Sequence, residues 1–334
     1  WAIFGPYPNF AWTPDSAAVA IWAQGKLWRK SLPDGEPVRL TADDSHDEYQ
    51  PSFSPDGGTL LYTTWSDAGL GAIHALDLAS GQRRTLTTEK GFYYGPRFSP
   101  DGALVVWSKQ GGGGLTGSLH VGQQGIYAMP AAGGAARRIA DEGSDPQFSA
   151  DGSRVFFLTG GGLKKKLMSV GLHGERPREV FDLKYVDAIA LSPDGRWVAF
   201  TELFNAYVAP LPATGGAIEL NKDTKALPVT RISQDVGSYL HWAADSSALH
   251  WMVGERYFSR RLKDVFSFLP GAPSKLPEPA TLSGIDVGLS LPVYAPADTV
   301  AFTNARIITL RDAERQEEVI ERGTVLVEGE RIAA

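Results

Sequence analysis

Six histidines and 38 acidic residues are the side chains of this 334-residue chain that could hold a metal ion or move a proton. The densest cluster is His46-Asp47-Glu48, just before a strand-like run that begins near Tyr49. Imidazole and carboxylate groups are ligands for Zn²⁺ and also act as general acids and bases. Adjacent loop residues cannot all face one ion, so a solvated loop explains the cluster better. His46 is therefore a candidate metal ligand without partners that the sequence supplies.

Thiol and nucleophilic chemistry find no support in the sequence. The chain has no Cys, which excludes disulfides, thiolate nucleophiles and Cys-based metal sites. Its recurring Ser residues lie in Ser-Pro-Asp-Gly turns, with no base and orienting acid placed beside them. The sequence has no Gly-x-Ser-x-Gly elbow and no His-x-His pair. We therefore assign no catalytic residue to this chain.

Composition limits the class of protein. Hydrophobic residues make up 43 % and charged residues 21 %, which permits a sizeable core and argues against disorder. The net charge is −6 and there are no long Lys/Arg blocks, which argues against a nucleic-acid or anionic-membrane surface. No apolar run is long enough to cross a bilayer. The 37 glycines and many aromatic residues favour short strands joined by tight turns.

One short pattern recurs six times along the chain and predicts the fold. Each copy places an aromatic residue or Leu and a small residue before Pro or Ala, Asp, and Gly or Ser, as in Phe53-Ser54-Pro55-Asp56-Gly57. The Asp residues, separated by 41, 45, 50, 43 and 51 residues, are Asp15, Asp56, Asp101, Asp151, Asp194 and Asp245. Periods of about 40 to 50 residues are typical of four-stranded propeller blades.

Turn chemistry explains the pattern. Asp-Gly reverses the chain between antiparallel strands, because Gly accepts a positive φ and Asp accepts hydrogen bonds from nearby amides. The aromatic residue is expected to pack between neighbouring blades. Since residues 1–260 show no useful helical periodicity, we predict an all-β propeller of about six four-stranded blades over residues 1–263. A Pro-rich linker is predicted over residues 264–298, and the opening strands of a small β-sandwich over residues 299–334.

Positions just before each innermost strand surround one mouth of a propeller's central channel, where a ligand could bind. Alignment of the copies places one ring at Asn9, Gln50, Gly95, Asp145, Ala188 and Tyr239. The ring one position earlier contains Pro8, Tyr49, Tyr94, Ser144, Asp187 and Ser238. Our candidates for binding a ligand or a partner domain are Glu48, Tyr94, Asp145, Asp187 and Tyr239. The alternative is that these are ordinary loop residues.

The repeated aromatic-Ser-Pro-Asp-Gly motif resembles that of the TolB-like, WD-repeat-like propellers, and the resemblance covers roughly residues 9–262. A different resemblance begins near residue 300. Asn304-Ala305-Arg306-Ile307 and the stretch from Gly323 to Ile332 are similar to the opening β-strands of the metal-dependent amidohydrolase superfamily. In that family a small β-sandwich precedes a (β/α)₈ barrel, whose His-x-His pair binds the catalytic metal. The chain stops before that point.

These resemblances imply a function and leave alternatives open. The first is the propeller part of a metal-dependent hydrolase of C–N bonds, in which the propeller controls substrate access or docks on the barrel. The barrel, on the same or a companion polypeptide, would hold a Zn-type divalent metal and act on a small-molecule or peptide-like substrate. The second is a non-catalytic propeller that binds proteins or peptides. A third is a gating propeller like those of prolyl-oligopeptidase-type enzymes, although no nucleophile elbow supports it.

The resemblance also implies a location. TolB-like propellers fused to such hydrolases are expected in the bacterial periplasm or secreted, and a cytoplasmic location is the alternative. The absence of Cys is compatible with either compartment. Oligomerisation stays open at this stage.

Overall fold

The computed structural model describes residues 10–111, 123–213, 215–279, 283–288, 298–309 and 318–334. The chain divides into two compact units, Trp1–Gly288 and Leu289–Ala334. Strands dominate both, and the described residues contain one short 3₁₀ helix, Leu262–Asp264, and no α-helix. No helix in this part of the chain is long and apolar enough to cross a membrane. The predicted all-β class is confirmed.

The first unit contains six antiparallel blades, as the six sequence repeats predict. Blade 1 contains β1 (Phe10–Trp12), β2 (Ala18–Ala23), β3 (Lys26–Ser31) and β4 (Val38–Arg39). Blade 2 contains β5 (Asp47–Phe53), β6 (Thr59–Ser66), β7 (Leu70–Asp77) and β8 (Arg83–Thr85). Blade 3 contains β9 (Phe92–Phe98), β10 (Leu104–Gln110), β11 (Gly125–Pro130) and β12 (Arg137–Ala140).

The remaining blades follow the same order, with one exchange of strands. Blade 4 contains β13 (Ser144–Phe148), β14 (Arg154–Gly161), β15 (Lys164–Gly171) and β16 (Arg178–Lys184). Blade 5 contains β17 (Val186–Leu191), β18 (Trp197–Glu202), β19 (Asn205–Pro210) and β21 (Thr230–Arg231). Between β19 and β21, β20 (Ile218–Leu220) pairs in parallel with β16 and adds a fifth strand to blade 4. Blade 6 contains β22 (Ser238–Trp242), β23 (Ala248–Val253), β24 (Arg256–Arg261) and β25 (Ile285–Asp286).

The repeated corners have the hydrogen bonds that their residue types predict. In blade 2, Ser54 Oγ donates to Asp56 Oδ1 at 2.5 Å and accepts from Thr59 N at 2.8 Å. Asp56 Oδ1 also accepts from Gly58 N at 3.0 Å, and Gly57 has a φ of 73°. The same Ser/Thr-to-Asp bond recurs in the corners of blades 1, 3, 4 and 5, at Thr13–Asp15, Ser99–Asp101, Ser149–Asp151 and Ser192–Asp194. Local chemistry therefore fixes the first reversal of these blades.

The core lies between the blades. Five clusters of buried hydrophobic residues each combine side chains from two neighbouring blades. The predicted inter-blade position of the motif aromatic residue is visible at Trp242, which packs with Trp197 of blade 5. Its indole nitrogen also donates to Ala190 O at 2.9 Å. Flat aromatic side chains bury large areas there, which favours this radial packing.

The interface between blades 6 and 1 closes the ring with aromatic and polar groups. Trp12 of blade 1 packs against Tyr257 of blade 6, with ring centroids 4.3 Å apart, and lies 6.5 Å from His250. Tyr257 Oη and His250 Nδ1 share a hydrogen bond. Lys30 Nζ, also in blade 1, donates to Gly288 O at 2.8 Å. We call this contact region, formed by Trp12, His250 and Tyr257, the closure seam.

The segment predicted as a linker lies partly within the first unit. Val265 and Phe266 are buried in the cluster between blades 5 and 6, and Val287 is also buried. Residues 285–286 pair with β24 as the outer strand of blade 6. The first unit therefore extends to Gly288 rather than to residue 263. The sequence did not indicate this extent of the first unit, because the few buried apolar residues of the Pro-rich segment are separated by turns.

The second unit is a three-stranded antiparallel sheet of β26 (Thr299–Thr309), β27 (Glu318–Glu328) and β28 (Arg331–Ile332). These are strands that sequence analysis predicts around residues 299–334. Val300 pairs with Val327, which in turn pairs with Ile332. Phe302 pairs with Val325. None of the side chains described in this unit is buried.

Candidate functional site

The aligned mouth positions share an unusual backbone conformation. Gln50, Gly95, Asp145 and Tyr239 have φ values of 52°, 58°, 54° and 55°. Each lies where the register of the innermost strand shifts against its neighbour. Such a bulge redirects the side chains that follow it. Asn9 and Pro8 lie outside the described residues.

The inner strands of blades 1, 2, 3 and 6 enclose a cavity of about 160 Å³. Its aromatic walls come from Phe10, Trp12, Phe53 and Tyr239. Phe10 and Tyr239 contact each other across the junction of blades 1 and 6, with centroids 4.8 Å apart. Polar side chains complete the lining at Gln50, Ser52, Arg97 and His241. The cavity therefore combines an apolar wall with a small set of hydrogen-bonding groups, as ligand sites do.

Arg97 is the one cation among the described residues that line this cavity. Its Nη2 lies 3.7 Å from Asp145 Oδ1, and 38 % of its side chain is exposed. Its Nε atom is buried without a hydrogen-bond partner among the described residues. A guanidinium has five N–H donors and prefers a planar, bidentate acceptor. The single loose contact with Asp145 leaves most of this capacity unused.

His241 and Gln50 contribute neutral polar groups to the same cavity. Burial lowers the pKa of His241 to about 3, and the nearby His250 and Arg97 lower it further. The ring is therefore uncharged near neutral pH. Gln50 Oε1 accepts a hydrogen bond from Gly95 N at 2.8 Å, and this bond orients the side-chain amide. Because the oxygen is engaged, the amide nitrogen of Gln50 is left as the donor.

The sequence-predicted mouth residues divide into two groups. Tyr239 lines the cavity, and Asp145 lies beside its arginine. Tyr94 is half-buried, and burial raises the pKa of its hydroxyl, but it does not line the cavity. Asp187 has a side chain that is 68 % exposed and lies 3.9 Å from Lys165 Nζ. The structure thus brings only Asp145 and Tyr239 to the cavity.

Glu48 lies between blades 1 and 2 rather than at the cavity. Its side chain is fully buried, and Oε2 accepts from Leu27 N at 3.0 Å and from Thr41 Oγ1 at 2.7 Å. These bonds connect β5 to β3 and to the segment after β4. A carboxylate held in this way joins two blades, since it satisfies a buried backbone donor. Its role is structural in this geometry.

His46 has acidic neighbours and also a cation beside it. Its Nδ1 lies 3.5 Å from Asp43 Oδ2, and its Nε2 lies 4.0 Å from Glu48 Oε1. Arg83 Nη1 is 3.4 Å from the same Nε2. Burial lowers the pKa of His46, with Asp43 opposing that shift. A guanidinium at this distance would repel a metal ion, so these surroundings disfavour a metal centre.

A wider search for metal ligands gives the same result. Within the described ranges, no group of three or more His, Cys, Asp or Glu side chains is arranged to hold an ion. The residues described in this chain therefore do not fit a catalytic divalent metal. The metal expected from the amidohydrolase resemblance would belong to the barrel, and no chemical step is assigned here.

Sequence reasoning missed Arg97 and His241, although a signal was present. Both occupy the motif position immediately before the aromatic residue, where the six copies have Ala11, Ser52, Arg97, Gln147, Ala190 and His241. Ala11, Ser52, Arg97 and His241 line the cavity, so this position faces the channel in these blades. Gln147 instead joins blades 4 and 5, donating to Ile189 O and accepting from Leu191 N. The informative signal was that Arg97 and His241 occupy a position where three of the six copies have Ala or Ser.

Together these observations define a six-bladed β-propeller with a polar and aromatic cavity among its inner strands. Residues 50–206 match the sequence profile PD40, described as TolB beta propeller domain. This match supports, over the residues matched, the likeness to TolB-like β-propellers that the repeat motif implied. A search of curated proteins returns no match to it.

Solved structures show the same fold. TolB from Acinetobacter baumannii is 22 % identical with a TM-score of 0.48, and the match covers 61 % of this chain and 51 % of that one. The chain therefore spans about half the length of that protein. A TolB-type protein from Agrobacterium tumefaciens is 21 % identical over 62 % of this chain and 77 % of its own, with a TM-score of 0.52. Oligogalacturonate lyase from Vibrio parahaemolyticus is 12 % identical over 73 % of each chain, also with a TM-score of 0.52. At these identities the likeness concerns the fold alone.

Proposed function

We propose that this chain is the propeller and the opening sheet of a metal-dependent, amidohydrolase-type hydrolase that acts on C–N bonds other than peptide bonds. The observation that carries the proposal is the second unit, which forms a regular sheet without a buried side chain among its described residues. A small sheet needs a hydrophobic partner surface to be stable. The sequence resemblance supplies that partner as the remainder of the β-sandwich and its barrel.

The register of the sheet supports this reading. Val300, Phe302, Val325, Val327 and Ile332 share one face, because they are direct cross-strand partners or lie two residues apart along a strand. Phe302 is 57 % exposed and Ile332 is 76 % exposed. An apolar face of this kind is what the first strands of a larger domain would contribute to its core.

In this proposal the propeller controls substrate access or docks on the barrel, and the barrel supplies the metal. A Zn-type divalent ion would activate water for hydrolysis. The substrate would be a small molecule or a peptide-like compound. We propose a periplasmic or secreted location, which the resemblance to TolB-like propellers supports.

The test is a preparation of the encoded polypeptide together with any sequence beyond residue 334, or with its companion polypeptide. We expect about one or two equivalents of bound divalent metal, and hydrolysis of cyclic amides or N-acyl amino acids that stops on chelation and returns with Zn²⁺. A metal-free protein that hydrolyses none of these substrates with added Zn²⁺ would contradict the proposal. Metal-dependent hydrolysis that persists after substitutions inactivate the barrel, with the propeller left unchanged, would also contradict it.

A second candidate is a non-catalytic binding propeller. The cavity among the inner strands of blades 1, 2, 3 and 6, which we call the axial cavity, specifically favours it. A site of about 160 Å³ with aromatic walls and an arginine has the features of a recognition site. Saturable ligand binding by the 334-residue chain, combined with no hydrolysis by the longer protein, would select this function over the first.

A further inference from the structure

We propose that the axial cavity of the propeller binds a small organic carboxylate, with the carboxylate on Arg97 and an aromatic or branched apolar group against Phe10, Trp12 and Tyr239. This inference goes beyond the hydrolase proposal and does not depend on it. For a binding propeller, it names the class of ligand.

The donor set carries the first step of the argument. Arg97 makes no hydrogen bond among the described residues, and its one ionic neighbour is 3.7 Å away. The amide of Gln50 is oriented by the bond from Gly95 N to its oxygen, so its nitrogen is available as a donor. His241 is neutral and has no hydrogen-bond partner in the part of the chain described, so it supplies one more N–H or lone pair. Arg97 and Gln50 therefore both offer donors to the cavity, which favours an acceptor-rich ligand such as a carboxylate.

The walls and the volume define the rest of the ligand. Cavities near 150 Å³ hold a benzene ring, and this one measures about 160 Å³. Trp12 is 4 % exposed, and its position is fixed by the contact with Tyr257. Phe10 and Tyr239 form a second aromatic wall through their 4.8 Å contact. A benzoate-sized acid therefore fits this volume.

Asp145 sets the strength of the site. Its carboxylate competes for Arg97 and repels an incoming anion, but the 3.7 Å separation leaves one edge of the guanidinium free. His241 remains uncharged above its pKa of about 3, so the arginine is the source of positive charge in the lining. The affinity for a carboxylate should therefore be nearly constant between pH 6 and pH 8.

The experiment is calorimetric titration of the 334-residue chain with benzoate, and with benzamide as the uncharged isostere. We expect saturable binding of benzoate with 1:1 stoichiometry and at least about tenfold weaker binding of benzamide, because charge-assisted bonds to arginine distinguish the two. Equal binding of both compounds would overturn the proposal. The absence of saturable benzoate binding up to about 10 mM, the weakest dissociation constant that would count as specific binding, would also overturn it.

Variants locate the site. Arg97→Gln should weaken benzoate binding at least about tenfold, and Arg97→Lys should weaken it less, since the charge remains but the fork is lost. Arg137→Gln is the matched control, because Arg137 is exposed on the outer strand of the same blade. Asp145→Asn should strengthen binding severalfold by removing the competing carboxylate, and this result does not require the Arg97 variants to fold. Unchanged affinity in both Arg97→Gln and Asp145→Asn would place any binding elsewhere and refute the inference.

Failure of benzoate to bind would leave the proposed metal-dependent hydrolysis untouched, so the two proposals fail separately.

Discussion

Mild acid should weaken the propeller through His250, a residue of the closure seam. Its side chain is 7 % exposed, and burial lowers its pKa from 6.5 to about 4, with Asp245 opposing the shift. Because the unfolded state binds a proton more readily, stability is complete above pH 6.5 and falls as the pH drops toward 4. For these two pKa values, going from pH 7.5 to pH 5.5 costs about 1.4 kcal/mol.

The assay is urea unfolding at pH 7.5 and pH 5.5, followed by tryptophan fluorescence. His250→Asn keeps an acceptor near Tyr257 but cannot titrate, so the loss of stability between the two pH values should shrink by about 1.4 kcal/mol. Using the difference between pH values removes any constant cost of the substitution. His173→Gln is the matched control, because His173 is exposed. A pH dependence as large in His250→Asn as in the native chain would refute the reasoning.

Two further predictions concern stability. Glu48→Ala should destabilise the propeller by about 3 kcal/mol, because it leaves the buried Leu27 amide without its charged acceptor. Glu48→Gln should cost only about 1 kcal/mol, because the side-chain oxygen can still accept that hydrogen bond. Urea unfolding midpoints check both values, and equally small effects of the two substitutions would contradict the inter-blade role. At the tip between β18 and β19, Leu203 and Phe204 have φ values of 46° and 71°, and Phe204 is 73 % exposed. Replacing the pair by Asn-Gly should stabilise the hairpin by about 1 kcal/mol, because this turn requires residues that tolerate positive φ; a lower unfolding midpoint would contradict that account.

Much of the fold could be predicted from the sequence because its determinants are local. The Ser-Pro-Asp-Gly corner satisfies its own backbone and side-chain hydrogen bonds within six residues, and its regular repetition indicates the blades. Spacing then gives the number of blades. The decayed sixth copy still marks a blade, since Asp245 Oδ1 accepts from Ser247 N at 2.9 Å although the usual Ser is Ala243.

Long-range pairing could not be predicted in the same way. Strand β20 joins the edge of blade 4 although its sequence lies between two strands of blade 5, and only three residues make that parallel pairing. The described residues between 264 and 288 add a few buried side chains, such as Phe266 and Val287, and the outer strand of blade 6. In both cases tertiary packing decides, and the local sequence carries no periodicity to show it.

The candidate site was predicted only in part. Alignment of the repeats located the left-handed positions of blades 2, 3, 4 and 6, because in these blades the bulge precedes the motif at a constant distance. It did not show which neighbours of the ring point to the axis. Glu48, two residues before Gln50, instead joins two blades, while Arg97, two residues after Gly95, lines the cavity. One position along a strand reverses the face, so a bulge changes which residues reach the channel.

Amide hydrogen exchange of the 334-residue chain tests most directly the claim that a different domain begins near residue 299. Because the described side chains of β26 and β27 include none that is buried, their amides should exchange at least about 100-fold faster than those of the central propeller strands β6 and β10. In a preparation that contains the remainder of the proposed hydrolase domain, the same amides should become protected to a similar degree. Protection of β26 and β27 equal to that of β6 and β10 in the 334-residue chain alone would contradict the account.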